Sequence, residues 1–103
     1  MPTPTVSRDA SGRLAVEVFD IPIELFPSMC REIAMAFELS RDCNLVTNGV
    51  DVVFMDFNSE AGSIEMAWDN WSGFIVTAKS RESEPLVQRI SEWLMDREIQ
   101  ADK

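Results

Sequence analysis

The sequence predicts an α+β fold: an antiparallel sheet of four strands, or five, with two helices packed on one face, in the order β-α-β-β-β-α. Three observations support this prediction. Several short segments alternate apolar and polar residues, which is the pattern of a half-buried strand. Two longer segments, one on each side of the main group of strands, carry apolar residues at helical spacing. Turn-forming residues separate the strand segments.

The first strand is predicted to follow an N-terminal segment that has two prolines among its first four residues. In this strand, Leu14, Val16 and Val18 alternate with residues that are smaller or charged. Residues 1–12 are therefore predicted to form a flexible arm, and residues 13–103 a single α+β domain. A domain of this length can bury one core without help from a metal ion or a disulfide.

The first helix is predicted from about Glu24 to Leu39, because its apolar residues recur at helical spacing. The members of this stripe are Phe26, Met29, Cys30, Ile33, Ala34, Ala36 and Phe37. Pro27 is compatible with the helix only in the first turn, where its missing N–H has no intrahelical partner. The helix is therefore expected to begin near Ile23 or Glu24.

Three strands in a meander are predicted between the helices, over residues 50–57, 63–68 and 74–78. The first of them is rich in Val and Phe, which favour strands. Asn48 and Gly49 form a dipeptide that favours a two-residue hairpin turn. A short additional strand is therefore expected just before Asn48.

A second helix is predicted to run from the segment Ser83-Glu84-Pro85 to about Ile99. Ser83 offers a capping hydroxyl, Glu84 places an acid near the positive end of the helix dipole, and Pro85 fits the first turn. The apolar face of this helix consists of Leu86, Ile90, Trp93 and Leu94. Both helices can cover the same side of the sheet, which leaves the other side to water or to a partner.

Acidity is the strongest compositional signal, since 18 Asp and Glu against 9 Lys and Arg give a net charge of -9 and a pI near 4.3. No basic residue lies between Arg41 and Lys79. The acids of this interval are Asp42, Asp51, Asp56, Glu60, Glu65 and Asp69. Such a surface repels nucleic acid and anionic membranes and attracts cationic partners. We therefore expect a basic protein partner, with no nucleic acid and no membrane, although acidity that only keeps the protein soluble explains the same composition.

The sequence shows no motif of an enzyme or a cofactor site. Histidine and tyrosine are absent, which excludes Ser-His and Cys-His pairs, and two cysteines without histidine do not suffice for tetrahedral zinc. The segment 56–60 begins like a calcium loop, but Ala61 stands where that loop needs glycine and Ala67 where it needs a bidentate glutamate. No catalytic residue, metal ligand or cofactor is predicted, and the protein is expected not to be an enzyme.

The cysteines and the N-terminal residues indicate a cytoplasmic protein. Cys30 lies in the first helix and Cys43 in the loop after it, and two cysteines are too few for a disulfide framework, so both are expected to be reduced. The first residues lack the basic start and apolar run of a signal peptide. Nowhere do about 18 apolar residues follow one another, as a membrane-spanning helix requires.

One segment has the composition of an interface. Trp68, Trp71 and Phe74 lie within seven positions, and Glu65 and Asp69 lie among or just before them. Aromatic anchors surrounded by polar groups are typical of binding surfaces, and neighbouring acids suit Arg or Lys from a partner. Alternatively, Trp68 and Phe74 belong to the core and Trp71 caps the edge of the sheet.

We predict one partner-binding surface, which consists of Asp56, Glu65, Asp69 and Trp71. A different surface is available for a homodimer, because Met95 and Ile99 fall off the main apolar stripe of the second helix. Both residues are equally compatible with isolated apolar side chains on the surface.

In size, acidity and order of elements, the chain resembles two groups of small bacterial proteins. Immunity proteins of toxin systems are often of this size, acidic and poor in histidine, and they neutralise basic toxins by covering them. Type III secretion chaperones are likewise small, acidic α+β dimers. The chaperones have a further strand after the second helical segment, which this sequence does not show.

The leading hypothesis is a small, acidic, non-catalytic protein-binding module, in its most concrete form an inhibitor or immunity-type protein for a basic partner. The first alternative is a self-associating structural or regulatory domain, or a dimer like the secretion chaperones. The second alternative is a small enzyme that uses carboxylate chemistry.

Overall fold

The computed structural model describes residues 4–41, 46–47 and 52–97 of the chain. Its elements, in chain order, are β1 (Pro4–Arg8), β2 (Leu14–Val18), α1 (Phe26–Phe37), β3 (Ser40–Arg41), β4 (Val46–Thr47), β5 (Val52–Ser59), β6 (Gly62–Asp69), β7 (Gly73–Ala78) and α2 (Glu84–Arg97). A 3-10 turn precedes each helix, at Ile23–Leu25 and at Arg81–Ser83. Among the described residues, no helix is both long and apolar enough to span a membrane.

All neighbouring strands of the sheet are antiparallel. The longer strands lie in the order β1-β2-β7-β6-β5, and the two-residue strands β3 and β4 both pair with β5. The predicted α+β class and the predicted order of strands and helices are confirmed. The short strand expected before Asn48 corresponds to β4, whereas the Asn48-Gly49 turn lies outside the described residues.

The edge strand β1 lies within the segment predicted to be a flexible arm. Its residues pair in register with β2, from Pro4 opposite Val18 to Arg8 opposite Leu14. Proline is tolerated at the start of an edge strand, where its missing N–H does not interrupt the ladder. Most side chains of β1 are exposed, so this strand lacks the apolar alternation that identifies a half-buried strand in a sequence.

Helix α1 begins slightly later than predicted, at Phe26, because a 3-10 turn occupies Ile23–Leu25. Pro27 lies in the first turn of the helix, as its missing N–H requires. The helix ends where Glu38 adopts the left-handed conformation, with a φ of 57°, and donates its N–H to the Ala34 carbonyl. Glycine usually occupies such a position, so Glu38 carries backbone strain.

Helix α2 is entered through a capped 3-10 turn. The Ser80 N–H donates to Ser83 Oγ at 3.2 Å, and Ser83 Oγ donates to the Ser80 carbonyl at 3.0 Å. The hydroxyl of the predicted Ser83 thus makes both hydrogen bonds, and they close the 3-10 turn whose N-cap position is Ser80. Ser83 is fully buried against Gly62, where an added Cβ would lie 3.0 Å from the Ser83 Cβ. The β5–β6 turn thus sits directly on the entry to α2.

The hydrophobic core lies between the sheet and the two helices. Helix α1 contributes Phe26, Cys30 and Ile33, and helix α2 contributes Leu86, Val87, Ile90 and Leu94. The sheet contributes alternate residues of its long strands: Val16, Val18, Val53, Met55, Phe57, Ile64, Met66, Trp68, Phe74, Val76 and Ala78. Both helices therefore pack on one side of the sheet, and the intervening strand residues point to the other side.

Candidate functional site

The side of the sheet that faces away from both helices is the candidate functional site, and we call it the open face. It consists of Glu17, Phe54, Asp56, Glu65, Ala67, Asp69, Ile75 and Thr77, which alternate with core positions along the strands. The cross-strand register places Phe54, Ala67, Ile75 and Glu17 in one row, and Asp56, Glu65 and Thr77 in the next. An apolar row therefore lies beside an acidic one.

The apolar row crosses three neighbouring strands. Phe54 is opposite Ala67, and Ala67 is opposite Ile75. Each of the three is only half-buried. Cross-strand neighbours shield one another from water, but the outer surface of the row remains accessible. Such a row provides apolar contact area in the middle of an otherwise polar face.

The acidic row contains a carboxylate pair with an adjacent cation. Asp56 and Glu65 lie directly opposite each other on β5 and β6. Lys79, just after β7, places its Nζ 2.6 Å from Asp56 Oδ2. Among the described residues, the other oxygen of Asp56, Oδ1, is buried and has no hydrogen-bond partner. Two carboxylates beside one cation leave this row with an excess of negative charge.

The surroundings of Glu65 make its carboxyl harder to ionise. Burial raises the pKa of Glu65, the neighbouring Asp56 carboxylate raises it further, and Lys79 lowers it in part. A positive charge from a partner would oppose both causes, because it would offset the lost hydration of Glu65 and its repulsion from Asp56. Cation binding and ionisation of Glu65 are therefore coupled.

Asp69 lies on the open face at the end of β6, where it holds the turn to β7. Its Oδ1 accepts the backbone N–H groups of Trp71 at 2.9 Å and Ser72 at 2.5 Å. This is the side-chain turn geometry that Asp favours. Gly73 ends the turn with a φ of 78°, and an added Cβ there would clash with the Val18 carbonyl oxygen. Asp69 thus positions the turn, and its predicted role in partner contact comes in addition to that.

The three aromatic residues of this segment have different surroundings. Trp68 belongs to the core, and its Nε1 donates to the Ile21 carbonyl at 2.6 Å. Phe74 is fully buried in the same core. Trp71 lies in the β6–β7 turn with 74% of its surface exposed. Of the three, Trp71 alone is therefore accessible to a partner.

The predicted contact residues form an elongated group. Asp56 and Glu65 are immediate neighbours. Asp69 follows Glu65 by four residues on the same side of β6, which corresponds to roughly 13 Å along a strand. Trp71 lies in the turn beyond Asp69. The three carboxylates share one face, and Trp71 lies at the end of it.

Sequence reasoning missed Glu17, Phe54 and Ile75 as members of the open face. Glu17 reaches this face because β2 pairs with β7, which places Glu17 opposite Ile75. Strand order of this kind does not follow from local pattern. The sequence does contain a pattern that places Phe54 and Ile75 on this face, because both lie between core positions of strands with clear alternation.

Two observations bear on chemistry elsewhere in the chain. Burial raises the pKa of the Cys30 thiol to about 12, so this side chain remains a neutral member of the core. Within residues 4–41, 46–47 and 52–97, no group of three or more His, Cys, Asp or Glu side chains is arranged to hold a metal ion. Cys43 lies outside the described residues.

Comparison with known proteins gives no relative for this chain. No protein-family model matches it, and neither the search of curated proteins nor the search of solved structures finds a match. Function is therefore inferred from the geometry and charge of the chain itself.

Proposed function

We propose that this protein is a non-catalytic binding module that takes a basic protein partner on the open face of its sheet. One observation supports this most directly: a sheet face that points away from both helices combines an apolar row with carboxylates. The carboxylates are Glu17, Asp56, Glu65 and Asp69, and the cation beside them is Lys79. Apolar contact area supplies affinity, and complementary charge supplies specificity and a fast association rate.

The Asp56 and Glu65 pair suits a guanidinium or ammonium group from the partner. Asp56 and Glu65 lie directly opposite each other, and both side chains are half-buried. Glu65 has a raised pKa because it is partly desolvated beside Asp56. A charge-assisted hydrogen bond from Arg or Lys to Glu65 would stabilise the ionised form of this side chain.

Inhibition of a basic, toxin-like enzyme is the most concrete form of this proposal. An acidic protein that lays a flat face over a basic active site excludes the substrate without any chemistry of its own. The open face extends over four strands, from Glu17 on β2 to Phe54 on β5. Four strands span roughly 15 Å across the sheet, so a partner of standard interface size would also contact the surface around the open face.

Self-association through the sheet edge is a second candidate, favoured by the position of β1. Within the described part of the chain, β1 pairs with β2 alone, so its other edge is open to another strand. Val6 on β1 and Met95 on α2 are exposed apolar residues on two elements that contact each other. Ile99, the other residue predicted for a dimer contact, lies outside the described residues. Sedimentation velocity at micromolar concentration separates the candidates, because a strict monomer excludes the second.

Charge reversal on the open face tests the first proposal. Glu17→Lys with Glu65→Lys changes two carboxylates that support neither the Lys79 contact nor the β6–β7 turn. The matched control is Glu60→Lys with Asp96→Lys, which makes the same change in net charge at two exposed sites elsewhere. The tagged chain is used to capture partners from the cells that naturally produce it, and the affinity for the purified partner is then measured.

We expect the open-face variant to lose at least about tenfold in affinity and the control variant less than about threefold. A basic partner that binds the open-face variant as tightly as the unaltered chain would contradict the assignment of this face. Capture of an acidic partner would contradict the predicted chemistry of the partner.

A further inference from the structure

Four large apolar side chains with high exposure lie at one end of the sheet, beyond the apolar row of the open face. They are Phe19, Ile23, Leu25 and Trp71, with exposed fractions of 44%, 37%, 41% and 74%. We call these four residues the end patch. Apolar residues that are scattered singly over a surface need no explanation, whereas a group of them marks an interaction site.

Strand register places Phe19 and Trp71 at the same end of the sheet. Val18 is opposite Phe74, so Phe19 continues β2 alongside Gly73. A Cβ added to Gly73 would lie 3.2 Å from the Phe19 Cα. Trp71 precedes Gly73 by two residues in the β6–β7 turn. The aromatic side chains therefore rise from adjoining backbone segments.

The 3-10 turn Ile23–Leu25 is held at this end as well. The Ile21 carbonyl, two residues before the turn, accepts the Trp68 indole N–H at 2.6 Å. Phe26, directly after the turn, contacts Phe74 with ring centroids 6.0 Å apart. The turn is thus anchored on both sides to the strands that flank the β6–β7 connection.

Asp20 allows the chain to bury Ile21 while Phe19 and Ile23 stay exposed. Its φ of 65° lies in the left-handed region, which L residues other than Asn and Asp rarely adopt. Ile21 turns inward and is 4% exposed, whereas its neighbours on both sides remain at the surface. The exposure of the end patch is therefore built into the backbone.

Three acidic residues are close neighbours in sequence of the residues of the end patch. Asp20 and Glu24 are exposed, and Asp69 lies at the base of the Trp71 turn. The sequence contains neither Lys nor Arg over residues 14–30 and 63–78, the two segments in which the four residues of the end patch lie. Two copies of the chain meeting at their end patches would bring these acids together, which is unfavourable. The matching surface is instead apolar and positively charged.

We propose that the end patch docks an amphipathic, basic segment of the protein partner, with apolar side chains against Trp71 and Phe19 and with Lys or Arg toward the acidic rim. Trp71 is the expected anchor, because a large aromatic residue that becomes buried contributes most to such contacts. Two hydrogen bonds to Asp69 order its turn in advance, which reduces the entropy lost on binding. This inference rests on the proposed function, since the partner is the same basic protein, but its test uses other residues.

Synthetic peptides of about 15 residues test the proposal with the full-length chain. One peptide carries Leu along one helical face and Lys on the rest, and the second keeps every Lys but has Ser in place of each Leu. Binding is followed by fluorescence anisotropy of a dye on the peptide. We expect the Leu/Lys peptide to bind at least about tenfold more tightly than the Ser/Lys peptide. Equal binding of both, or binding of neither, overturns the proposal.

Two pairs of variants locate the binding site. Trp71→Ala should reduce the affinity for the Leu/Lys peptide about tenfold. The control is Met35→Ala, which alters an equally exposed residue on α1 and should change this affinity less than about twofold. Asp20→Asn with Glu24→Gln should reduce both the affinity and its salt dependence, and Glu60→Gln with Asp96→Asn should change neither beyond about twofold. If a variant and its matched control reduce the affinity equally, the assignment of the binding site to the end patch is overturned. Circular dichroism confirms that each variant is folded.

The same variants separate this inference from the proposed function. If the variant with Glu17→Lys and Glu65→Lys no longer binds the natural partner and Trp71→Ala binds it fully, the open face is upheld as the binding site and the end patch is overturned. The reverse result upholds the end patch and overturns the open face. A dimer of the unaltered chain that Trp71→Ala dissociates shows that a second copy occupies the patch, which also overturns the proposal.

Discussion

The two ends of the sheet differ in how they satisfy their polar groups. At one end lie the β1–β2 turn, the β5–β6 turn and the entry to α2, and we call it the capped end. Arg8, Arg13, Lys79 and Arg81 all belong to it. The opposite end carries the end patch and its acids, within sequence segments that have no Lys or Arg. Four of the nine basic residues thus lie at the capped end, and four of the seven exposed large apolar side chains of the described residues lie at the other.

The capped end uses its side chains to complete its own turns. Asp9 Oδ1 accepts hydrogen bonds from Ser11 N, Ser11 Oγ and Arg13 N at 2.9, 2.8 and 2.9 Å. These hydrogen bonds, above all that from the Ser11 hydroxyl, lower the pKa of Asp9. Arg8 donates to the Gly12 carbonyl at 2.9 Å and to Glu84 at 3.0 Å, which joins the hairpin to α2. The hydrogen bonds of these side chains are therefore explained by folding alone.

Folding alone does not explain the exposed apolar side chains of the end patch. Asp69 serves its turn and Asp20 allows Ile21 to be buried, but Phe19, Trp71 and Glu24 are exposed at the surface. Residues that depart from the local rules of folding are expected at functional sites. The hydrogen bonds of the capped end complete its own turns, whereas the exposed apolar side chains of the end patch fit the proposed binding of a partner.

The largest stability effect is expected from adding a methyl group at the glycine of each end. Gly73→Ala should destabilise the fold by more than about 2 kcal/mol, because the new Cβ collides with the Val18 carbonyl at a φ of 78°. Gly12→Ala, at a φ of 86° with nothing within 4 Å of the new Cβ, should cost only about 1 kcal/mol of backbone strain. Urea denaturation measures both. Equal losses would mean that strand β2 does not approach the β6–β7 turn as described.

A smaller change in stability, in this case a gain, is expected when glycine replaces each of the two described non-glycine residues with a positive φ. Glu38→Gly, at the C-terminus of α1, should stabilise the fold by about 1 kcal/mol, because glycine adopts a φ of 57° without a steric penalty. Asp20→Gly should stabilise it less, since Asp tolerates the left-handed region better than Glu does. Thermal unfolding measures the gains.

Peptide binding distinguishes the roles of these two positions. Glu38→Gly should leave the affinity for the Leu/Lys peptide unchanged, whereas Asp20→Gly should weaken it through loss of a rim charge. Both variants remove one carboxylate, so a Glu38→Gly variant that binds as weakly as Asp20→Gly would show that net charge, and not the position of the charge beside the end patch, controls the affinity.

The smallest effect is expected from Glu65→Gln, which lies between the two ends. Burial and Asp56 raise the pKa of Glu65 in the folded state, so ionised Glu65 opposes folding. Its favourable contribution is present below the unfolded pKa and is lost as the pH rises through the folded pKa. At pH 7 Glu65→Gln should therefore stabilise the fold, by under about 1 kcal/mol because the side chain is partly exposed and screened.

Chemical denaturation of the Glu65→Gln variant from pH 3 to pH 8 checks this sign. The gain over the unaltered chain should shrink as the pH falls below the Glu65 pKa, since Glu65 is then neutral as well. A gain that stays constant with pH would show that packing, and not ionisation, distinguishes the two side chains.

Much of the fold was accessible from the sequence because long amphipathic segments reveal their buried side. The alternation in β6 and β7 and the helical stripe of α2 predicted the layers that the structure shows. Strand β1 was not predicted, because an exposed edge strand has little apolar alternation. For the candidate site, Asp56, Glu65 and Trp71 came from composition and spacing, whereas Glu17 and Phe19 required the pairing of β2 with β7.

The sequence by itself determined that this chain is acidic, has two helices on one side of an antiparallel sheet, and lacks histidine chemistry. These properties depend on residue type and local period, which need no long-range contact. Only the tertiary structure decided that Trp68 is buried while Trp71 is exposed, and that Phe19 and Trp71 share one end of the sheet. Strand order and turn geometry set these relations, because pairing across the sheet brings together residues that are far apart in the chain.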